Sequence, residues 1–263
     1  MAIRNIVFIG AGNVATNLAV AFFNKNLTIT QVYSRTALSA DKLASKINAV
    51  PVTNPSEIFT DAGLYIISVS DDAIVEVTKT LIPGQNLFVH TSGTVPVDIL
   101  KPVSAKYGVF YPLQTFTKDR EIEFSNIPLL IEASDPESER ELLELGKIIS
   151  NDVRICNSEK RKTIHLAAVF ACNFSNLMYI LSEEILTSQQ LPFDLLRPLI
   201  LETAQKVMQQ HPRNAQTGPA KRNDLKVMAA HLELLAGDSE KQEIYKLLSK
   251  LISNLENRKK YGS

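Results

Sequence analysis

The segment Ile6-Val7-Phe8-Ile9 runs directly into Gly10-Ala11-Gly12-Asn13-Val14-Ala15. A short apolar run bounded by glycine reads as a buried strand. The GxGxxA pattern that follows opens a helix, expected from about Asn13 to Asn24. Gly10 permits the tight turn, Gly12 leaves the backbone bare for a pyrophosphate, and Ala15 lets the helix pack closely on the strand. Free N–H groups and the positive dipole end at the helix start then face the phosphates. Gly10, Gly12, Asn13 and Val14 are therefore candidate dinucleotide contacts. A strand–turn–helix of this kind begins a βαβ unit, which commits the chain to a parallel sheet.

The rest of the first half agrees. Further strands are expected at Thr28–Tyr33, Leu64–Val69, Leu87–His90, Val109–Tyr111, Pro128–Ile131 and Val153–Ile155, with helices between them. Continuous apolar strands mean a parallel sheet covered on both faces. Past residue 157 no strand is expected. Helices are predicted over Ser158–Gln189, Phe193–Gln210, Asp224–Ala236 and Ser239–Lys260, with a polar loop over His211–Asn223. The expected fold class is α/β, a Rossmann-type doubly wound parallel sheet followed by an all-α C-terminal domain. Residues 1–157 form the nucleotide-binding domain and 158–263 a helical substrate and dimerisation domain.

The residues that close the second strand choose between the two nicotinamide cofactors. An NAD site places Asp or Glu there for the ribose hydroxyls. Here the residues are Tyr33-Ser34-Arg35-Thr36, and no acidic residue precedes Asp41. A guanidinium can stack on adenine and pair with a 2′-phosphate, with Ser34 and Thr36 donating beside it. The expected cofactor is NADP. Val69-Ser70 and Thr91-Ser92 end the next two strands, where small residues leave room for ribose and nicotinamide.

Composition excludes several partners. Lys+Arg and Asp+Glu are 28 each, so no basic excess suits nucleic acid. Cys156 and Cys172 are too few for a disulfide scaffold, and no residue group has metal-ligand spacing. Met1-Ala2-Ile3-Arg4-Asn5-Ile6 shows no signal-peptide pattern, and no apolar run is expected to span a membrane. The expected setting is the cytoplasm, and the expected partners are a small-molecule substrate and a second copy of the chain.

The strand–GAGNVA–helix start, Tyr33-Ser34-Arg35 and the helical second half resemble the pyrroline-5-carboxylate reductase, ketopantoate reductase and 6-phosphogluconate dehydrogenase group. The segments Phe110 to Phe116, His165 to Asn176 and Thr217 to Asp224 give a closer resemblance. It is to bacterial NADP oxidoreductases with a Rossmann-like domain and a helical domain of unknown function, some of them deazaflavin-dependent. The resemblance implies a nicotinamide domain, a helical dimerisation domain and an active site between them, and the expected reaction is hydride transfer to or from a small polar C=O or C=N substrate. It departs from the hydroxyacid dehydrogenases at one point. Their helical Lys is followed four residues on by Asn, whereas Lys162 here is followed by Leu166. A cofactor-binding sensor without turnover, and hydride exchange with a flavin or deazaflavin, are the alternative readings.

The catalytic candidates lie on the long helix. At 100° per residue His165, Cys172 and Asn176 share a face, with Asn173 at its side. Polar groups on an apolar stripe need partners, which a ligand site or a structural network would supply. His165 is the candidate proton donor or substrate anchor, since imidazole titrates at about pH 6.5. Asn173 is the candidate for hydrogen-bonding the reacting oxygen or the nicotinamide amide. Tyr111 and Gln114, beside Pro112, are candidate substrate contacts, as are Lys221 and Arg222. The plain alternative for the last two is a pair of solvated cations, with Asn223 or Asp224 capping the next helix. Lys160-Arg161-Lys162 reads as a solvated helix face, and His90 as a packing residue at a strand end.

Overall fold

In this computed structural model the described residues are Ile3 and 5–261, with side chains described to residue 257. The reading of Met1, Ala2 and Arg4 lies outside them. Contacts divide the chain into two compact units, one up to residue 173 and one from 174 onward.

Eight strands form a single sheet: β1 (Ile6–Ile9), β2 (Ile29–Tyr33), β3 (Val50–Val52), β4 (Leu64–Ile67), β5 (Leu87–His90), β6 (Tyr107–Pro112), β7 (Leu129–Ala133) and β8 (Val153–Ile155). Their order is β3-β2-β1-β4-β5-β6-β7-β8. Helices α1 (Asn13–Phe23), α2 (Ala37–Ile47), α3 (Asp71–Thr80) and α4 (Pro136–Ile149) connect them. The side-chain alternation of a strand is visible in β1. Ile6 and Phe8 join one buried cluster with Leu18, Phe22, Phe110 and Leu142. Val7 and Ile9 join another with Tyr65, Ile67, Ile74 and Phe88. Both faces of the sheet are thus covered, as a doubly wound fold requires.

Two details differ from expectation. β3 was not expected, because Val50-Pro51-Val52 is short and contains proline. At the sheet edge the missing N–H of Pro51 has no ladder bond to lose. The sheet is also not wholly parallel, since β6 and β7 pair antiparallel. The connection between them contains only a 3₁₀ turn at Phe124–Asn126.

The chain is helical without a break from Ser158 to Thr187. This run consists of α5 (Ser158–Ala168), a π-helical turn at Val169–Phe174 and α6 (Ser175–Thr187). By pattern the second half begins at residue 158, but by contacts α5 belongs with the sheet. Arg161 is one of the residues that tie it there, with Ser158 and His165. Arg161 was expected on a solvated face, yet it is fully buried. Its guanidinium pairs with Glu132 on β7 and donates to the Val95 carbonyl at 2.6 Å. One 18-residue window in this run has a mean hydropathy of 1.5, so one helix among the described residues is long and apolar enough to cross a membrane. This corrects the expectation that none would be.

Beyond residue 174 lie α7 (Arg197–Gln209), α8 (Pro212–Ala215), α9 (Pro219–Arg222), α10 (Leu225–Leu234) and α11 (Ser239–Tyr261). The expected loop over His211–Asn223 contains the two short helices α8 and α9. Asp224 caps α10 by accepting from the Val227 N–H at 3.2 Å.

Candidate active site

The strand order reverses between β1 and β4, because the chain first builds outward to β3 and then crosses over. Ligands of open α/β sheets bind outside the carboxyl ends of the strands at such a switch point. A cavity of about 810 Å³ lies there. It is lined by Gly10, Gly12, Asn13 and Val14 after β1, by Ser34, Arg35 and Thr36 after β2, and by Val69 and Ser70 after β4. Thr91 and Ser92 after β5, with Tyr111 and Gln114 from β6 and its end, continue the wall. His165 of α5 completes it. The expected cofactor residues and three of the expected substrate or catalytic residues therefore share one cavity.

The two glycines of the fingerprint have different reasons. Gly10 has φ +116°, and a Cβ there would collide with the Ser68 carbonyl, so the fold itself demands glycine. A Cβ at Gly12 would meet only the Ser68 oxygen, at 4.0 Å. The protein would tolerate a side chain at 12, but that side chain would fill the cradle at the start of α1. No side chain caps that helix, and its first turn holds no acidic residue. The bare turn fits a pyrophosphate, and Arg35 with Ser34 and Thr36 fits a 2′-phosphate better than ribose hydroxyls.

At the β5 and β6 ends the polar groups are held in place. The Thr91 hydroxyl donates to Ser68 Oγ at 3.0 Å. Ser92 Oγ accepts from the N–H groups of Thr94 and Val95 at 3.1 and 3.0 Å. Tyr111 Oη and His165 Nδ1 are hydrogen-bonded at 3.0 Å, their rings meeting edge to face. His165 lies directly against the backbone of Gly93, where a Cβ would come within 2.5 Å of Nδ1. Burial, and then the negative charge of Asp71, push the Tyr111 phenol above its ordinary range. It therefore remains a proton-bearing group at neutral pH. His90, just behind, is wholly buried. Its Nδ1 accepts from the Ser92 N–H at 3.1 Å. Burial first, and the Arg161 charge second, lower its pKa to about 4.

Three expected site residues are not among those lining this cavity. Asn173 is exposed and does not line the cavity. The π-helical turn at Val169–Phe174 changes the phase of the helix, so a face drawn at 100° per residue from His165 does not continue through it. Lys221 and Arg222 are on α9 in the second unit, where Lys221 Nζ donates to the Gln216 carbonyl at 2.7 Å. Sequence reading also missed Lys118, Ser39 and Gly93, all of which line the cavity. Only Gly93 gave a signal, as the glycine of the Thr91-Ser92-Gly93 strand end. Among the described residues no group of three or more His, Cys, Asp or Glu is placed to hold a metal ion.

Fold and site together define a dinucleotide-binding protein of the doubly wound class. A model for a Rossmann-like domain matches residues 2–114, and one for a Domain of unknown function (DUF2520) matches residues 127–252. A protein of Bacteroides fragilis assigned as an NADP oxidoreductase is 47% identical, with a TM-score of 0.92 over 95% of this chain and 98% of that one. The chain belongs to the family of that protein. An imine reductase from Myxococcus stipitatus, solved with NADP+, has 16% identity and a TM-score of 0.65 over 98% and 95% of the two chains. A reductive aminase from Aspergillus terreus, solved with NADPH and ethyl levulinate, has 17% identity and a TM-score of 0.68 over 98% and 94%. At such identities these two share the fold. A search of curated proteins found no match.

Proposed function

We propose that this protein is an NADP(H)-dependent oxidoreductase acting on the C=O or C=N group of a small polar substrate. One observation carries the reading: a single cavity joins the glycine cradle and Arg35 to the Tyr111–His165 pair. Arg35 follows β2 and Tyr111 lies in β6, four strand spacings apart in the sheet. At about 4.8 Å per spacing that is roughly 19 Å, which suits an elongated ligand. Gly10, Gly12, Asn13 and Val14 would hold the pyrophosphate, and Ser34, Arg35 and Thr36 the 2′-phosphate. Val69, Ser70, Thr91 and Ser92 would border the ribose and nicotinamide. A bound nicotinamide supplies or accepts the hydride.

The chain's own part is orientation and a proton. Tyr111 Oη and His165 Nδ1 are hydrogen-bonded at 3.0 Å, and the pair delivers a proton to the substrate oxygen or nitrogen. His165 is the donor or the anchor of that pair, and Gln114 a substrate contact at the rim. Asn173 has no role in this reading. Lys221 and Arg222 are assigned to a substrate carboxylate or phosphate by their charge alone. The open cavity beside Tyr111 supports turnover over a sensor role.

The second unit is proposed to form a homodimer. Large apolar side chains such as Leu199, Leu201, Leu225 and Leu234 are exposed there, and two-fold pairing is the commonest way to cover such a surface. Free cysteines, Cys156 and Cys172, fit the reducing cytoplasm as its setting.

Titration calorimetry tests the cofactor. NADPH should bind roughly tenfold or more tightly than NADH, the scale of one charge-assisted hydrogen bond, and Arg35→Ala should remove most of the difference. Equal affinities would contradict the assignment. Turnover is tested by NADPH absorbance loss with imines, 2-oxo acids and a deazaflavin. With any substrate found, His165→Ala should lower kcat by about 10²-fold, the scale of general acid–base catalysis, while NADPH affinity holds. Loss of cofactor binding instead would make His165 a structural residue.

A further inference from the structure

Arg35, His165 and Lys118 are the basic side chains that line the cavity. Lys118 comes from the irregular connection between β6 and β7, far in sequence from the other cofactor residues. That connection is pinned on three sides. Phe116 is buried and stacks on Phe124 with ring centroids 5.7 Å apart. Asn17 Nδ2 donates to the Thr117 carbonyl at 2.9 Å. Asp119 Oδ1 lies 3.9 Å from Lys42 Nζ on α2. Asn17 belongs to α1, so the helix that begins at the glycine cradle also holds the loop that carries Lys118.

The place to which Lys118 is brought is informative. It lines a small crevice with Ala11, Thr16, Ser39, Lys42 and Lys46. Ala11, Ser39 and Lys118 belong both to this crevice and to the main cavity. Ser39 stands on the first turn of α2, immediately after Arg35-Thr36. The cation therefore sits at the adenosine end of the cavity, away from Tyr111. Acidic residues that line the cavity, Asp71 and Glu76, both lie on α3 and are already engaged. Asp71 accepts from the Thr94 hydroxyl, and Glu76 pairs with Lys79 at 2.8 Å. Among the described residues Lys118 is in no ion pair, unlike Lys79, Lys106, Lys162 and Lys241.

We infer that Lys118 is a second cofactor-selecting residue, which closes on the 2′-phosphate of NADP from the β6 loop while Arg35 reaches it from the end of β2. The inference rests on the NADP(H) reading above. A phosphate monoester carries a charge of about −1.5 to −2 at neutral pH, more than one guanidinium balances. Arg35 is exposed, where water and salt weaken a single pair. A lysine arriving over the same phosphate adds a second cation and narrows the opening to solvent. Asn17 is then a positioning residue. It touches no cofactor atom in this scheme and acts through the Thr117 carbonyl.

The test is calorimetric titration of the full chain with NADPH, NADH and adenosine 2′,5′-bisphosphate. Lys118→Ala should weaken NADPH and the bisphosphate by about tenfold, the scale of one charge-assisted contact. NADH affinity should change less than about twofold, and the loss should shrink at high salt. Asn17→Ala should lower NADPH affinity in the wild-type background but add nothing to Lys118→Ala. A further loss in the double variant would make Asn17 merely structural and overturn its assignment. Unchanged NADPH affinity in Lys118→Ala overturns the inference. So does an equal loss for NADPH and NADH, which would place the cation on the pyrophosphate. Failure of the underlying reading looks different: the unmodified protein would then show no preference for NADPH at all.

Discussion

The two units treat their apolar side chains in opposite ways. Up to residue 173, Phe8, Phe22, Leu43 and Phe110 are fully buried between sheet and helices. Among the described residues past 173, only Ala220 and Ser249 are buried, while Met208 and Leu234 stand 85% and 83% exposed. The first unit thus contains its own driving force, since each fully buried large side chain contributes about 1.5–3 kcal/mol. The second is built of helices that leave large apolar side chains exposed. A dinucleotide sheet can be read as a complete object, whereas this helical unit buries almost none of its side chains by itself.

The sharpest way to break that comparison is truncation in the first unit. Phe22→Ala should cost about 3–5 kcal/mol, by the same amount at low and high protein concentration in urea titrations. Leu201→Ala should cost less, and in the proposed dimer its cost should depend on concentration. A concentration-independent loss at Leu201 as large as that at Phe22 would erase the distinction.

Acid should separate the units next. His90 is buried in the first unit with its pKa lowered to about 4, by burial and then by the Arg161 charge. The unfolded chain takes up the proton near pH 6.5 while the folded chain refuses it until about pH 4. Stability is therefore complete above that window and falls as pH drops through it, by about 3 kcal/mol. His90→Asn keeps an acceptor for the Ser92 N–H and removes the titration. Its urea midpoint should depend less on pH between 7 and 4 than that of the unmodified protein. An identical pH dependence would place the acid sensitivity elsewhere.

The smallest effect on the first unit should come from the surface of the second. Leu199→Lys with Leu234→Lys should reduce the light-scattering mass from that of two chains to that of one. The first unit's stability should shift by no more than about 0.5 kcal/mol. A one-chain mass for the unmodified protein would remove the dimer. Partition into detergent or vesicles would instead point to a membrane for the Ser158–Thr187 helix.

Most of what was readable in the sequence was local. Gly10-Ala11-Gly12 and Tyr33-Ser34-Arg35 declare a strand end and its ligand because the chemistry lies within a few residues. What escaped depends on distant partners. Lys160-Arg161-Lys162 looks solvated along the helix, but the partners of Arg161 are Glu132 on β7 and the Val95 carbonyl. Lys118 lies in a featureless loop and gains its place through distant partners, the Phe116–Phe124 stack, the Asn17 amide and the Asp119–Lys42 pair. The phase error at Asn173 has a third cause. A π-helical turn leaves no mark in a periodicity counted at 3.6 residues per turn.

The contact of His165 with Gly93 reaches beyond this chain. A methyl group at 93 and an imidazole at 165 require the same space, so position 93 cannot grow while histidine stands at 165. Across the family they should behave as one inherited character. Lineages that keep histidine at 165 should keep glycine at 93, and lineages with a bulkier residue at 93 should have replaced the histidine. For anyone redesigning the pocket, the two codons belong in a single library, because randomising 93 against a fixed His165 samples mostly clashes.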